Sequence, residues 1–186
     1  YSSIAREYLL REGLNPDLII KSGSPMYEVL DHNKEKIDKS KILQECNLVE
    51  KKFFLVSAHR EENINNKEKI KSFEKLINFL SENYDLPIIL STHPRTMKML
   101  KNYNIKFDNK VRILKPFSFT DYVKLQVSSF VVLSDSGTIN EESSILNFPA
   151  INIREAHERP EAMEEGAVMM LGFNIKSIQN GISILK

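Results

Sequence analysis

Short runs of apolar residues recur along the chain, separated by longer polar segments. The runs are continuous rather than alternating, as expected for strands that helices cover on both faces of a sheet. The pattern therefore predicts six buried strands, at Phe53–Ser57, Ile88–Ser91, Val111–Leu114, Phe130–Leu133, Ile151–Ile153 and Val168–Leu171.

The polar segments between these runs have helical spacing. The clearest carries one apolar stripe at steps of three and four residues, formed by Ile70, Phe73, Leu76, Ile77, Leu80 and Tyr84. The resulting β-α-β-α alternation predicts an α/β fold, a Rossmann-like three-layer structure with an open parallel sheet and right-handed crossovers. Ligands of such sheets bind at the carboxyl ends of the strands, so the loops after the strands are where function is expected.

The first part of the chain has a different pattern. Tyr1–Gly13 is predicted to be a helix that ends at Gly13, and Leu18–Ile20 is predicted to be a brief strand. A highly charged, helix-like stretch, Glu28–Val49, then leads into the main sheet. We place a boundary near Gly23–Pro25, and we expect the chain to be part of a longer protein.

Composition argues against several classes of function. With 26 Lys and Arg against 25 Asp and Glu, the net charge is +1, which gives no general attraction for nucleic acid or anionic lipid. Cys46 is the single cysteine, so a disulfide framework or a zinc cage is not expected, and neither is any other metal or cofactor. No apolar run approaches the roughly 18 residues of a membrane span. We expect no signal segment and a cytoplasmic location.

A polar loop with the features of a phosphate site follows the fourth run. A strand that ends in Asp-Ser-Gly and turns into a helix presents unpaired amides, a hydroxyl and the positive end of the helix dipole. Gly137 allows the backbone to approach an anion, and Glu142 can accept hydrogen bonds from a ribose diol. An ordinary N-capped helix with acidic residues in its first turn fits the pattern equally well. The loop is Ser134-Asp135-Ser136-Gly137-Thr138-Ile139-Asn140-Glu141-Glu142.

Histidine and arginine follow other predicted strands. His59 and Arg60 come directly after the first strand and can bind a diphosphate, with His59 able to titrate near neutral pH. For a lone histidine, an exposed surface turn is the favoured alternative. His93 follows the second strand, and after the fifth comes Arg159, which can clamp a phosphate or pair with a neighbouring Glu. Three of the four histidines, including His157, thus follow predicted strands. Histidines gathered at strand ends favour a functional site over scattered surface residues.

Three aromatic residues, Phe117, Phe119 and Tyr122, follow the third strand. A pyrimidine ring can stack on one of them. Core packing is the favoured role for at least one of Phe117 and Phe119, because large aromatic rings contribute most to buried cores.

Three motifs occur in one order along the chain: Ala58-His59-Arg60, then Ser134-Asp135-Ser136-Gly137 with Glu141-Glu142, then Glu158-Arg159-Pro160-Glu161-Ala162. Together they resemble the C-terminal domain of the non-hydrolysing UDP-N-acetylglucosamine 2-epimerases, over essentially the whole chain. The resemblance implies the C-terminal half of a glycosyltransferase-B-type fold, in which two Rossmann-like domains flank a nucleotide cleft. It also implies that residues 1–24 are the tail of an N-terminal domain and a linker, and that residues 25–186 are the UDP-binding domain.

The resemblance implies roles for individual residues. His59 lies near the phosphates and the reacting sugar and is the catalytic candidate. Ser136 and Gly137 hold the diphosphate, and Glu142 binds the ribose hydroxyls. The remaining UDP-binding candidates are Arg60, His93, Arg159, Tyr122 and Phe117, of which Tyr122 or Phe117 neighbours the uracil ring.

The family's reaction removes the proton at C2 of the sugar, eliminates UDP to leave an acetamidoglycal, and adds UDP back with the opposite configuration. A protein that does this must supply a base for a carbon acid and must stabilise the leaving diphosphate. The resemblance places the carboxylates for proton transfer in the N-terminal domain. We therefore expect this chain alone to bind UDP without turnover, and the full-length protein to be a homodimer that acts on a UDP-sugar.

Two positions depart from the family pattern: Glu61 stands where a second Arg is usual, and Thr138 where a second Gly is usual. The pattern resembles the branch that acts on UDP-N-acetyl-L-talosamine-type sugars to make UDP-N-acetyl-L-fucosamine for capsule or O-antigen. Two other functions stay open at this point. One is a glycosyltransferase-B-type UDP-sugar transferase, and the other is a module that binds UDP-sugars without chemistry.

Overall fold

Six short parallel strands form one sheet in a computed structural model of the chain, which describes residues 1–60, 63, 66–154 and 168–185. The strands are β1 (Phe54–Ser57), β2 (Ile88–Ser91), β3 (Val111–Leu114), β4 (Val131–Ser134), β5 (Ala150–Asn152) and β6 (Met169–Met170). They lie in the order β3-β2-β1-β4-β5-β6. This is the doubly wound Rossmann order, in which the chain reverses its direction of travel across the sheet between β1 and β4.

Helices precede and separate the strands. Before β1 come α1 (Ser3–Arg11), a 3₁₀ helix (Pro16–Leu18), α2 (Met26–Lys39) and α3 (Ile42–Glu45). The later helices are α4 (Lys67–Tyr84), α5 (Pro94–Asn102), α6 (Phe119–Ser128), α7 (Ile139–Leu146) and α8 (Ile175–Ile184).

Two apolar clusters, one on each face of the sheet, form the core. Alternate residues of β1 supply them: Phe54 and Val56 pack with α4, α5 and α8, while Leu55 packs with α3, α6 and α7. Helix α2 lies outside α6 and α7, where Leu30 and Ile37 are buried against neighbouring helices. This three-layer arrangement confirms the predicted Rossmann-like α/β fold.

Each of the six strands predicted for the main sheet is present, with ends that shift by no more than one residue. The stripe on α4 is also confirmed, because its first five members are fully buried and Tyr84 packs edge-on against Phe54. The prediction that every strand is covered on both faces is wrong for β3. This strand lies at the edge of the sheet and pairs with β2 alone among the described strands, so Arg112 and Ile113 are exposed.

The predicted strand at Leu18–Ile20 is also wrong. Pro16 and the side chain of Asn15, which accepts a hydrogen bond from the amide of Asp17, favour a 3₁₀ turn instead. Leu18 and Ile20 are more than four-fifths exposed, and no described strand pairs with them. A brief apolar pair without a partner strand gains too little buried surface to extend the sheet.

The charged stretch predicted as one helix is two, α2 and α3, divided at Ser40. The backbone of Ser40 is extended, and its hydroxyl donates to Asp121 of α6 while accepting from the amide of Ile42. Side chains that bond the backbone locally compete with helix continuation. Within the described residues, no helix combines the length and the apolar character needed to cross a membrane.

Replacing Asn66 with Ala is expected to lower the free energy of unfolding by about 1 kcal/mol. Asn66 is the N-cap of α4, and its side-chain oxygen accepts from the amide of Lys69 at 2.8 Å. Urea denaturation followed by circular dichroism measures the change. Asn83→Ala, an exposed Asn to Ala change near the other end of the same helix, serves as the control and is expected to have little effect. Equal losses in both variants would contradict the capping role.

Candidate functional site at the switch point of the sheet

A crevice opens where the loops after β1 and β4 diverge at the carboxyl edge of the sheet. After β1 the chain crosses to β2, and after β4 it crosses to β5 on the other side. This is the place where open α/β sheets bind their ligands. The crevice has a volume of about 440 Å³ and is lined by Ser57, His59, Ser91, His93, Pro116, Phe117, Phe119, Tyr122 and Ser136.

Asp135, the first residue after β4, ties the two loops together. Its carboxylate is fully buried, and Oδ2 accepts hydrogen bonds from the amides of His59 and Arg60, each at 2.9 Å. The same oxygen accepts from Nδ2 of Asn63 at 3.1 Å. The other oxygen, Oδ1, lies 3.1 Å from Nδ1 of His59, whose side chain is half exposed. The loop after β1 is thus held on the loop after β4 by one carboxylate.

The charges of this pair reinforce one another. The Asp135 carboxylate, with Oδ1 only 3.1 Å from Nδ1, raises the pKa of His59 above its ordinary value, against the smaller opposing effects of burial and of the Arg60 charge. Burial acts to raise the pKa of Asp135, but the bonds from His59, Arg60 and Asn63 outweigh it and hold that pKa below its ordinary value. A histidine whose protonated form is favoured, facing a crevice beside an arginine, suits an anionic ligand.

A chain of hydroxyl groups forms the floor of the crevice. The hydroxyl of Tyr122 donates to Oγ of Ser57 at 2.9 Å, and Ser57 lies 2.9 Å from Oγ of Ser134, its partner across the β1–β4 pair. Ser134 in turn accepts from the amide of Ser136 at 3.1 Å. Burial raises the pKa of Tyr122 to about 12, so the phenol remains a neutral donor at physiological pH. These bonds fix the start of the loop after β4.

A second polar chain links that loop to α7. Oγ of Ser136 lies 2.9 Å from Oγ1 of Thr138, and Thr138 donates to Oε1 of Glu142 at 2.6 Å. Oε2 of Glu142 accepts from Nε2 of the buried Gln126 at 2.5 Å. Glu142 is only 9% exposed, yet each carboxylate oxygen keeps a lone pair for a further donor.

The start of α7 does not follow the ordinary capped-helix pattern. Thr138 stands at the N-cap but makes no side-chain capping bond, and the Asp135 carboxylate points back to the loop after β1. The amides of the first turn of a helix lack partners within it. They face the direction from which an anion can approach.

Gly137 lies against the guanidinium group of Arg60. A Cβ atom at this position would lie 3.3 Å from Nη2 of Arg60, closer than nearly all such contacts. A glycine here therefore lets the arginine lie directly over the backbone of the turn.

The structure brings most of the predicted site residues together. His59, His93, Phe117, Tyr122 and Ser136 line one crevice, while Gly137 contacts Arg60, and Glu142 is linked to Ser136 through Thr138.

The surroundings of three of these residues add detail. His93 is the N-cap of α5, where Nδ1 accepts from the amide of Arg95 at 3.3 Å. Phe117 packs against the core on the α6 side, whereas Phe119 is 43% exposed. Arg159, His157 and the motif around them lie outside the described residues.

Sequence reasoning missed the roles of four residues in this arrangement. Asp135 and Ser57 stood at the ends of predicted strands, where polar residues signal a site, but their partners lie on distant segments. Asn63 and Gln126 carried no local signal. Gln126 meets Glu142 only because α6 and α7 pack side by side.

The fold and its loops define a Rossmann-like domain with a polar crevice at its switch point. The family model described as UDP-N-acetylglucosamine 2-epimerase matches residues 1–186. The structure of UDP-N-acetylglucosamine 2-epimerase from Rickettsia bellii is 47% identical with a TM-score of 0.90, covering 99% of this chain and 49% of that protein. The Methanocaldococcus jannaschii UDP-GlcNAc 2-epimerase in complex with UDP-GlcNAc and UDP is 33% identical with a TM-score of 0.89, covering 99% and 52%.

The chain belongs to the UDP-N-acetylglucosamine 2-epimerase family. It spans about half the length of the relatives it matches, including 52% of the curated Methanocaldococcus jannaschii enzyme, to which it is 33% identical over 191 residues. The resemblance of the chain to this family, predicted from its sequence, is confirmed.

Proposed function

We propose that this chain is the UDP-binding half of a UDP-N-acetylhexosamine 2-epimerase, an isomerase that acts by elimination and re-addition of UDP. The observation that carries the proposal is the pairing of the Ser136–Gly137 turn with His59 and Arg60 across the β1–β4 switch point. A helix start with an arginine beside it, next to a histidine whose protonated form is favoured, suits a diphosphate. A relative of known structure holds UDP-GlcNAc and UDP.

In this proposal the diphosphate binds to the hydroxyl of Ser136, the amides at the start of α7 and the side chains of Arg60 and His59. The ribose hydroxyls donate to Glu142, whose position Thr138 and Gln126 fix. Uracil lies beside Phe117 and Tyr122 in the crevice that His93 also lines. Arg159 is included among the UDP-binding residues because its motif resembles that of the family.

This half stabilises the departing UDP, and the other half supplies the base for C2. Cations preorganised around the diphosphate act where negative charge increases as the glycosidic C–O bond breaks. Residues 1–24 are the link to that other half, and residues 25–186 are the UDP-binding domain. The full-length protein is a cytoplasmic homodimer that supplies capsule or similar polysaccharide synthesis. Its sugars are the UDP-GlcNAc/UDP-ManNAc pair or the related L-talosamine/L-fucosamine pair.

The reaction is tested with the full-length protein in deuterated water. With UDP-GlcNAc alone, an epimerase yields the C2 epimer and incorporates deuterium at C2, which NMR detects. A transferase of similar architecture needs an acceptor, and a binding module exchanges no C2 proton. Deuterium-free UDP-GlcNAc after prolonged incubation, with the same result for UDP-N-acetyl-L-talosamine-type substrates, would contradict the proposed isomerase activity.

Replacing Glu142 with Ala is expected to weaken UDP binding to this chain by about 10- to 100-fold, because hydrogen bonds to a charged acceptor are lost. Isothermal titration calorimetry measures the dissociation constant. Glu82→Ala, on an exposed position of α4 remote from the crevice, is the control and should bind UDP like the unchanged chain. Equal affinities for Glu142→Ala and the control would contradict the proposal that Glu142 binds the ribose hydroxyls.

A further inference from the structure

The two oxygens of the Asp135 carboxylate have different surroundings. Oδ2 takes three donors from the loop after β1, at His59, Arg60 and Asn63. Oδ1 is left without a hydrogen bond among the described residues, and Nδ1 of His59 lies 3.1 Å from it. A fully buried carboxylate oxygen without a donor is costly, so the arrangement favours a proton on Nδ1 in every state of the ring.

We propose that Asp135 is the positioning residue of this site, which holds the proton on Nδ1 of His59 and so presents Nε2–H to the diphosphate. This inference rests on the proposed function and deepens it. Nδ1 faces Asp135, so Nε2 lies on the other side of the ring, and the half-exposed side chain lines the crevice. The carboxylate acts through His59 and has no contact with the ligand itself.

Asp135 sets both the orientation and the protonation of the ring. Its Oδ2 bonds fix the backbone on which His59 stands, and its Oδ1 fixes the rotation of the ring and the tautomer, as second partners of histidines generally do. The charged or titratable groups around His59 are Asp135 and Arg60, which act on its pKa, and His93 and Tyr122, which line the same crevice. Asp135 favours the protonated ring, and Arg60 opposes it.

Asp135→Asn separates the effect of this residue on the loop backbone from its effect on the His59 ring. The amide oxygen of Asn can replace Oδ2 and keep the three loop hydrogen bonds, while its NH₂ group takes the place of Oδ1 and donates to Nδ1. The proton of the neutral ring then moves to Nε2, and the cationic form loses its partner. A purely structural role for Asp135 predicts no such change of tautomer.

NMR of the ¹⁵N-labelled histidine rings tests the inference on this chain. In the unchanged protein, neutral His59 is expected to carry its proton on Nδ1, with a titration midpoint above that of an ordinary histidine. In Asp135→Asn the proton is expected on Nε2 and the midpoint at lower pH. Asp108→Asn, which alters an Asp that accepts from Ser81 and the Lys110 amide at the other edge of the sheet, is the control and should leave His59 unchanged.

Calorimetry adds a second readout. At pH 7, UDP is expected to bind Asp135→Asn about tenfold more weakly, since the charge-assisted bond from His59 is lost, and the pH dependence of binding should move to lower pH. If the unchanged chain does not bind UDP, the proposed function fails, while the NMR result still decides the role of Asp135. Neutral His59 with its proton on Nε2 in the unchanged protein overturns the inference even if Asp135→Asn does not fold. The inference is also overturned if His59 has the same tautomer and the same titration midpoint in the unchanged protein and in Asp135→Asn.

Discussion

Replacing His59 with Asn is expected to lower kcat of the full-length enzyme by about 100- to 1,000-fold, the loss typical when one preorganised donor to a developing negative charge is removed. His59 faces the crevice, lies against Asp135 and has a raised pKa, so in the proposed function it donates to the leaving diphosphate. Asn matches part of the shape of imidazole but cannot carry the charge. The measurement is the rate of C2 epimer formation at saturating UDP-sugar.

Comparing the effects of His59→Asn on kcat and on KM distinguishes a role in the reaction step from a role in substrate binding. An interaction made mainly in the transition state lowers kcat, whereas uniform binding would appear only in KM. His32→Asn, at an exposed position of α2, is the matched control and should retain full activity. A His59→Asn enzyme with unchanged kcat would remove His59 from the mechanism.

Replacing Phe73 with Ala is expected to lower the free energy of unfolding by about 3 to 5 kcal/mol. Phe73 is fully buried on α4, and its ring contacts those of Phe107 and Phe173 at centroid distances of 6.2 and 5.5 Å. Truncation loses the transfer free energy of the ring and leaves a cavity that three different segments would have to fill. Urea denaturation of the chain measures the loss.

Tyr27→Ala is the matched control, because it removes an aromatic ring that is 62% exposed on α2. It is expected to change the free energy of unfolding by less than about 0.5 kcal/mol. A similarly small change for Phe73→Ala would show that α4 does not pack on the sheet as described.

The sequence predicted the sheet and its main helix well because both depend on local patterns. Continuous apolar runs such as Ile88–Ser91 signal strands covered on both faces, and the stripe on α4 has unmistakable helical spacing. The errors arose where neighbours decide the outcome. Strand β3 has a partner on one side only, and Leu18 and Ile20 have none among the described strands.

The location of the site could be predicted from the sequence, but the hydrogen bonds between its residues could not. Polar residues after parallel strands must gather at one edge of the sheet, which places His59 and Ser136 together. The bond between Asp135 and His59 joins residues 76 positions apart and exists because β1 and β4 are neighbours. No local pattern reports the strand order, and none reports the packing of α6 on α7 that brings Gln126 to Glu142.

The central claim, that the crevice at the β1–β4 switch point grips a UDP diphosphate, is tested most directly by calorimetric titration of this chain with UDP and with uridine. We expect UDP to bind saturably with one site per chain. Uridine, which lacks the diphosphate that His59, Arg60 and the α7 amides would hold, should bind at least about tenfold more weakly, since it forgoes the charge-assisted bonds. No binding of UDP, or equal affinities for UDP and uridine, would contradict the account.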